Sequence, residues 1–309
     1  MDKCRLTIFT PVYNRADLVG RCYRSMLRQK NQNFIWIIVD DGSTDHLEKV
    51  VEPWLKRAAE NPSGFRIEFY RKANGGMYTA YNLALSHVET DYWVCIDSDD
   101  WLADDAVKII YQAIRYSESR QMKISGLVGL DAEPDGHICG GKFPKVRTAS
   151  LMDLKFRYRH KGDIKVVYRT AASAPFLPMP EIEGEKDFNP YYIMLQMDRE
   201  APLLLLNHVL CIADYQPDGM SARLFRQYED SPVSFGLLRI QFLRMPDLPG
   251  WFRYRQRIHY VSSWLFAVRQ KKKGLRPPLF EKGMLWALLP GILLNGYIRL
   301  RNRRDGKQV

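Results

Sequence analysis

Three aspartates, Asp97, Asp99 and Asp100, directly follow the apolar run 92–96. Acidic side chains gathered at the end of a buried strand repel one another, so their clustering indicates a bound cation. Carboxylate oxygens are hard ligands that suit Mg²⁺ or Mn²⁺, and a small set of protein ligands leaves positions for water and substrate phosphate. The spacing of Asp97 and Asp99 therefore predicts a divalent-metal site. Asp100 has a weaker claim to the cation, and the favoured alternative is that it starts the helix expected from Ala103.

Two more polar clusters, residues 11–15 (PVYNR) and 40–45 (DDGSTD), follow apolar runs in the same way. Asp40 and Asp41 can accept hydrogen bonds from a base or ribose, and the Tyr13 ring can stack on a base. Basic side chains able to neutralise phosphate charge are also present: Arg15, Arg71 and Lys72. Together the clusters predict a nucleotide diphosphate held through a metal. For the second cluster alone, an ordinary turn is the alternative.

The elements that position these clusters alternate along the chain. Strands are predicted at 6–10, 34–39, 66–70 and 92–96, and helices from Asp17 to about 29, from Thr44 or Asp45, from Gly75-Gly76 to about 87, and from Ala103 to about 116. Strands separated by helices imply right-handed crossovers and a mainly parallel sheet with helices on both faces. Ligands of such sheets bind beyond the carboxyl ends of the strands. We therefore expect the three clusters to line one crevice.

Four segments carry a family resemblance: TIFTPVYNR, IIVDDGSTD, ANGGMYTAYNLAL and WVCIDSDDWL, in this order over residues 5–102. They resemble the family 2 glycosyltransferases, including bacterial enzymes of capsule and surface-polysaccharide synthesis. The resemblance implies an α/β fold of the GT-A nucleotide-diphospho-sugar transferase type. It also implies an inverting transfer of a sugar, from a donor taken to be UDP-linked, to an acceptor hydroxyl.

The resemblance further implies roles for single residues. Asp41 would hydrogen-bond the base with support from Asp40, and Asp99 would be a stronger metal ligand than Asp97. The implied donor-binding residues are Pro11, Tyr13, Asn14, Arg15, Asp40, Asp41, Asn74, Asn82, Asp97 and Ser98. A cation bridging the diphosphate oxygens, Mn²⁺ or Mg²⁺, would stabilise the charge that develops on the leaving group.

An inverting enzyme also needs a general base near the acceptor hydroxyl, and residues 180–192 (PEIEGEKDFNPYY) lie where the family carries it. The similarity to related capsule enzymes ends at Lys186, and Tyr191 stands where a carboxylate is expected. A tyrosine with its ordinary pKa of about 10 is a poor base at neutral pH. Asp187 is therefore the first candidate for the base and Glu185 the second. An acidic surface loop is the alternative for this segment.

The chain beyond this segment offers weaker signals. A helix is predicted at 192–197 and a strand at 203–215. The following loop, 213–224, resembles a family loop in which Ser221 and Arg223 would close over the diphosphate. A plain surface turn is the alternative for the tip of that loop.

Positive charge is concentrated at the C-terminus. The chain has a net charge of +11, of which residues 251–309 carry +12 and the first 250 residues −1. This distribution argues against a nucleic-acid-binding body and for an anionic surface met by the C-terminus. The apolar run 284–298 is shorter than the roughly 20 residues that span a bilayer, and cations flank it. The pattern is typical of a segment lying in the membrane interface, with a helix packed on the protein as the alternative.

We therefore expect a GT-A catalytic domain over 1–225, with a donor-binding half (1–115) and an acceptor half (116–225), and a helical, membrane-associating region over 226–309. Five scattered cysteines and an N-terminus without a signal-peptide core indicate a cytoplasmic protein, peripheral on the inner face of the cell membrane. The expected acceptor is a lipid-linked glycan of capsule, lipopolysaccharide or a similar polymer. The alternatives are a catalytically degenerate scaffold of the same fold, a nucleotidyltransferase, and a nucleic-acid-binding protein that uses the basic tail.

Overall fold

The structure, a computed structural model, describes residues 3–61, 64–216, 223–278 and 283–305. The chain divides into two compact units. The first unit comprises Met1–Pro178 with Met197–Gln216, and the second comprises Met179–Gln196 with Pro217–Val309. Ser221, expected to close over the diphosphate, lies outside the described residues.

A mixed β-sheet forms the centre of the first unit. Its strands in the described residues are β1 (Leu6–Val12), β2 (Ile35–Asp40), β3 (Arg66–Arg71), β4 (Tyr92–Cys95), β5 (Trp101–Leu102), β6 (Gly126–Ala132), β7 (Thr148–Ala149), β8 (Ile164–Arg169) and β9 (Leu203–Ile212). The strand order is β3-β2-β1-β4-β8-β6-β9-β5, and β7 pairs with β9. Strands β1 to β4 are parallel, as the sequence predicts. β8 runs antiparallel to both of its neighbours, whereas β6 and β9 are parallel.

Helices follow the first strands in the predicted alternation. The helices of this part of the chain are α1 (Val19–Arg28), α2 (Leu47–Glu60), α3 (Met77–Ser86), α4 (Ala106–Ser119), the short α5 (Thr170–Ser173) and α6 (Tyr191–Glu200). The division between the two units falls within α6. From β1 to β4, connections of five or six residues separate strands and helices, so the chain repeatedly returns to the same edge of the sheet.

Period-two alternation in β1 explains why helices cover both faces of the sheet. Leu6 and Ile8 belong to the main hydrophobic core, which also contains buried residues of α1, α2 and α4. Phe9 points to the opposite face, where its ring meets Tyr81 of α3 edge-on at 4.8 Å between centroids. Because successive side chains of a strand point to opposite faces, a strand that is buried along its whole length, as β1 is, has cover on both sides.

Several predicted boundaries are wrong in detail. Asp17 does not cap α1, whose N-cap position is occupied by Leu18 without a side-chain cap. The helix expected from Thr44 or Asp45 begins at Leu47, after His46 in a left-handed conformation. For the second helix, turn chemistry accounts for the shift, because the Asp45 side chain accepts from the N–H of Ala16 in the neighbouring loop rather than from a helix start.

The described part of the second unit is helical. Besides the start of α6, it contains α7 (Leu224–Asp230), α8 (Pro232–Arg244), α9 (Gly250–Arg269) and α10 (Leu288–Asp305), the last preceded by a 3₁₀ turn at Leu285–Ala287. α9 packs against both α8 and α10. None of the described helices has the length and apolarity required to cross a membrane.

Candidate active site

The loops after β1 and β2 are joined by Asn14. Its backbone N–H donates to Oγ of Ser43 at 3.0 Å, and its Oδ1 accepts from the backbone N–H of Thr44 at 2.8 Å. Asn14 has a φ of 50°, a left-handed conformation that asparagine tolerates better than most residues. A second link runs from the N–H of Ala16 to Oδ2 of Asp45 at 2.8 Å. The first two predicted clusters therefore form one connected surface at the carboxyl ends of neighbouring strands.

Asp41 holds the segment that leads into α3. Its Oδ1 accepts from Nζ of Lys72 at 2.8 Å and from the N–H of Gly75 at 3.0 Å. Its Oδ2 accepts from the N–H of Gly76 at 2.9 Å and from Nδ2 of Asn74 at 3.1 Å. These four bonds match the four lone pairs of a carboxylate, and the side chain is buried. The predicted bond from Asp41 to a base would require one of these donors to be exchanged.

Asp40 and Arg71 fix the other side of the same loop. The fully buried Asp40 accepts a hydrogen bond from the N–H of Ser43 at 2.7 Å, which closes the turn after β2. Its second oxygen lies 3.3 Å from Nε of Arg71, and Arg71 also donates to the carbonyl of Ser43 at 3.0 Å. Asp40 therefore supports the loop that carries Asp41.

The acidic segment after β4 forms a turn closed by a bond from the N–H of Asp100 to the carbonyl of Asp97 at 3.1 Å. Ser98 is buried, whereas Asp97 and Asp99 are half-buried. Burial raises the pKa of Asp99, and the charge of Asp97 raises it further. A cation bound at this turn would offset the repulsion that Asp99 meets there.

Asp100 is not the helix start that the sequence suggested, because α4 begins at Ala106. The Asp100 carboxylate is buried and accepts from the N–H of Asp214 at 3.1 Å. Nζ of Lys165 lies 3.7 Å from Asp100 and 3.9 Å from Asp131. Burial raises the pKa of Asp100 to about 6 and that of Asp131 to about 7, against the opposing charge of Lys165. These three buried side chains form an ionic cluster, Asp100–Lys165–Asp131, which stabilises the acidic turn on its buried side.

Arg21 of α1 links the acidic turn to the end of β9. Its guanidinium donates to the carboxylate of Asp214 and, at 3.0 Å, to the carbonyl of Asp99. The same group lies 5.1 Å from the centroid of the Trp101 ring. Sequence reasoning missed Arg21 and Lys165 because each is a single basic residue without a motif; only the tertiary fold brings them to the acids.

The residues present fit a divalent cation whose coordination would be completed by oxygen atoms of a substrate and of water. No cluster of three or more His, Cys, Asp or Glu side chains suited to a metal occurs in the described part of the chain. Asp97 and Asp99 nevertheless supply hard oxygen donors, and a two-carboxylate set suits Mg²⁺ or Mn²⁺ that also takes phosphate and water oxygens. The metal assignment for these two residues stays a prediction.

The other predicted donor residues lie on the same elements. Pro11 is buried at the end of β1, and the Tyr13 ring that follows is half exposed, as a stacking platform requires. Arg15 is half-buried in the same loop, and Asn82 is half-buried on α3. The fold therefore brings the predicted donor residues to the ends of β1, β2, β3 and β4, to the loops that follow them and to α3, all within the first unit.

The predicted bases lie in the second unit and differ in their surroundings. The buried Glu185 accepts from the N–H groups of Val233 at 3.0 Å and Ser234 at 2.7 Å, and it pairs with Lys272 at 3.1 Å. This carboxylate therefore caps the N-terminus of α8, which argues for a structural role. Asp187 is half-buried, and its pKa is raised by burial despite a 3.2 Å hydrogen bond from Ser231.

Sequence comparison identifies residues 7–120 with the model of a family described as "Glycosyl transferase family 2". Among curated proteins, the chain is 29% identical over 110 residues to "Glycosyltransferase GlyA" of Streptococcus pneumoniae, covering 36% of this chain. It is 36% identical over 103 residues to "Teichoic acid poly(glycerol phosphate) polymerase" of Staphylococcus epidermidis, covering 33% of this chain. "Chondroitin synthase" of Pasteurella multocida is 31% identical over 133 residues, or 43% of this chain. The matched segments span only 15%, 14% and 13% of those proteins, respectively.

Solved structures show the same fold. Residues 1–349 of S. aureus TarS match with a TM-score of 0.61 at 17% identity, covering 97% of this chain and 92% of that chain. The complex of the same fragment with UDP-GlcNAc has a TM-score of 0.59 at 18% identity, covering 86% and 73%. The mannosyltransferase PcManGT from Pyrobaculum calidifontis, in complex with GDP-Man and Mn²⁺, has a TM-score of 0.55 at 14% identity, covering 94% and 86%. The predicted resemblance to family 2 is therefore confirmed over residues 7–120, and the solved structures confirm the GT-A-like α/β fold.

Proposed function

Because residues 7–120 belong to glycosyltransferase family 2 and lie within a GT-A-like fold, we propose that the protein is a metal-dependent, inverting glycosyltransferase that uses a UDP-sugar. The observation that carries the proposal is the convergence of three polar loops at the carboxyl ends of the parallel strands β1, β2 and β4. The loop after β2 carries Asp41, which accepts a hydrogen bond from Gly75. The loop after β4 carries Asp97 and Asp99. This edge is where open α/β sheets bind nucleotides.

The donor assignment draws on the fold neighbours. TarS is known in complex with UDP and with UDP-GlcNAc, and PcManGT with GDP-Man and Mn²⁺. Asp97 and Asp99 would hold the cation, which supplies charge stabilisation to the departing nucleoside diphosphate. Asp41 positions the segment before α3 through hydrogen bonds from Gly75 and Gly76. The exposed ring of Tyr13 would offer a face on which the base can stack.

Asp187 is our proposed general base. A raised pKa makes a carboxylate a better proton acceptor, provided that it is still ionised at the working pH. Burial supplies this shift at Asp187. Glu185 becomes the weaker candidate, because its two oxygens already accept backbone N–H groups and pair with Lys272.

The acceptor and location remain part of the proposal. The names of the relatives refer to synthesis of teichoic acid, chondroitin and hyaluronan, which supports a glycan acceptor in the synthesis of a surface polymer. We propose that this acceptor is lipid-linked and that the enzyme works at the cytoplasmic face of the membrane. The division into a catalytic domain (1–225) and a membrane-associating region (226–309) belongs to the same proposal.

Release of UDP from UDP-GlcNAc in the presence of Mn²⁺ tests the function, with GDP-Man as the second donor. We expect donor-dependent release of nucleoside diphosphate, and a loss of about 10²-fold or more in kcat for Asp187→Asn with donor binding unchanged. The exposed Glu183→Gln in the same segment is the matched control and should keep its rate. Donor binding without product release would support the scaffold alternative. Release of pyrophosphate from UTP in the presence of a sugar 1-phosphate, with formation of a UDP-sugar, would support a nucleotidyltransferase. An Asp187→Asn rate equal to that of the control would remove Asp187 as the base.

A further inference from the structure

Helix α10 turns its polar side inward. Four of its residues are buried, Gly291, Asn295, Ile298 and Asn302, at alternating spacings of four and three. Nδ2 of Asn295 donates to the carbonyl of Ser262 on α9 at 3.1 Å. Nδ2 of Asn302 donates to the carbonyl of Phe225 at 3.1 Å and to Glu229 at 2.7 Å. These buried bonds fix the rotation of the helix, since turning it would leave amides unsatisfied.

The close approach of α10 to α9 also fixes the rotation of α10. A Cβ added to Gly291 would lie 2.4 Å from Cβ of Val261, so only glycine permits the two helices to come this near. The face of α10 that meets the rest of the second unit is therefore built from a glycine, two asparagines and one isoleucine. Three leucines of the helix, Leu289, Leu293 and Leu300, are exposed on the opposite face.

The outward face is apolar and continuous. We define it by the large side chains that are 52–84% exposed in the 3₁₀ turn and in α10: Leu285, Trp286, Leu289, Ile292, Leu293, Tyr297 and Leu300. From Leu289 onward they recur at helical spacing and so form one stripe. Trp251 of α9 is also exposed, and the hydroxyl of Tyr254 donates to the carbonyl of Trp286 at 3.1 Å. An exposed apolar stripe of this extent marks an interaction site.

Positive charge continues the stripe. Arg303 and Arg304 are exposed on the last turn of α10, at helical spacing from Leu300 and Tyr297. The region 251–309 has a net charge of +12. Apolar residues, tryptophans and tyrosines beside cations match the layers of an anionic lipid surface, where acyl chains lie next to the headgroup phosphates. A second copy of this chain would bring two strongly positive surfaces together, which electrostatics opposes.

We propose that the outward face of α10 docks on an anionic bilayer, with the helix lying flat in the interface. Leu289 and Leu293 enter the acyl boundary, the tryptophan and tyrosine rings lie at headgroup level, and Arg303 and Arg304 contact phosphates. The proposal deepens the membrane location within the proposed function. Docking requires neither donor nor metal, so a failed transfer assay and a failed docking assay are distinguishable outcomes.

Co-sedimentation with vesicles tests the docking face. The full chain should bind vesicles of phosphatidylcholine with 30% phosphatidylglycerol, and bind pure phosphatidylcholine more weakly. Leu289→Gln with Leu293→Gln should lower the partition coefficient by roughly tenfold or more, because two buried leucines are lost. The control pair, Leu27→Gln with Val146→Gln, removes exposed apolar side chains from the first unit and should bind like the parent.

A second set of variants tests whether docking depends on the negative charge of the lipid headgroup. Arg303→Gln with Arg304→Gln should lower the affinity for phosphatidylglycerol vesicles by roughly tenfold and leave binding to phosphatidylcholine nearly unchanged. The exposed pair Lys108→Gln with Lys123→Gln carries the same charge change as a control. Circular dichroism checks that each variant is folded. Parent-like binding by the leucine variant overturns the proposal, as does a dimer of the parent that the leucine variant converts to a monomer.

Discussion

Asp41 is the side chain on which the segment that leads into α3 depends most directly. Its carboxylate accepts from Lys72, Asn74, Gly75 and Gly76 at 2.8 to 3.1 Å. The motif DDGSTD predicts that Asp41 binds a ligand, and the structure shows that its carboxylate also holds the segment that leads into α3. That second role was beyond the sequence, because the partners come 31 to 35 residues later.

Asp41→Asn should therefore destabilise the protein and weaken donor binding together. The amide keeps the shape but can no longer accept four hydrogen bonds, and it leaves the Lys72 ammonium without its charge partner. We expect a loss of about 2–4 kcal/mol in the free energy of unfolding, measured by guanidinium titration. Asp104→Asn removes an exposed pair with Arg28 and should change this value little. Equal losses in both variants would contradict the role assigned to Asp41.

Single basic residues that contact the acidic turn could not be predicted from the sequence. Asp97 and Asp99 stand out in the sequence because they follow an apolar run at a recognised spacing. Lys165 lies more than sixty residues further along and is brought to the acids only because β8 pairs with β4 and β6. No local pattern encodes that pairing, so the ionic cluster behind the acidic turn was not foreseeable.

Among the elements, the parallel half of the sheet was predictable and the mixed half was not. The runs that became β1 to β4 are apolar and bounded by turn residues. β5 and β7 have two residues each and pair with β9 far along the chain, which leaves no periodic signal. For α10 the sequence predicted an apolar segment at a membrane, with packing as the alternative. Its asparagine bonds show how one helix packs through a narrow polar face and still exposes its leucines.

Helix α9 carries a histidine that should make the second unit sensitive to acid. Burial, together with the charges of Arg239 and Arg255, lowers the pKa of His259 to about 3. The unfolded chain takes up this proton near pH 6.5, whereas the folded chain does so only near pH 3. Stability from this group is therefore complete above about pH 6.5 and is lost as the pH falls toward 3.

His259→Gln removes this titration. Between pH 7 and pH 4.5, the free energy of unfolding of the parent should fall by about 2–3 kcal/mol more than that of the variant, as measured by denaturant titration at each pH. His137→Gln changes an exposed histidine and should follow the parent. Parallel pH curves for the parent and His259→Gln would contradict the assigned cause.

At the scale of the whole molecule, charge and chemistry are segregated along the chain. The first 250 residues sum to −1 and include the family 2 segment, whereas the last 59 sum to +12. Composition alone revealed this division. It did not reveal that residues 179–196, which contain both predicted bases, group with the C-terminal helices. Glu185 explains this grouping, because it bonds to the start of α8 and to Lys272.

The central claim, that Asp97 and Asp99 hold a cation that binds the donor diphosphate, is tested most directly by thermal shift. A ligand that binds only the folded state raises its melting temperature. UDP-GlcNAc should raise the Tm of the parent and of Asp104→Asn, and Mn²⁺ should add a further shift of about 2–6 °C. In Asp99→Asn the shift with UDP-GlcNAc alone should persist and the Mn²⁺ increment should vanish. An Mn²⁺ increment of the same size in Asp99→Asn as in Asp104→Asn would contradict the account.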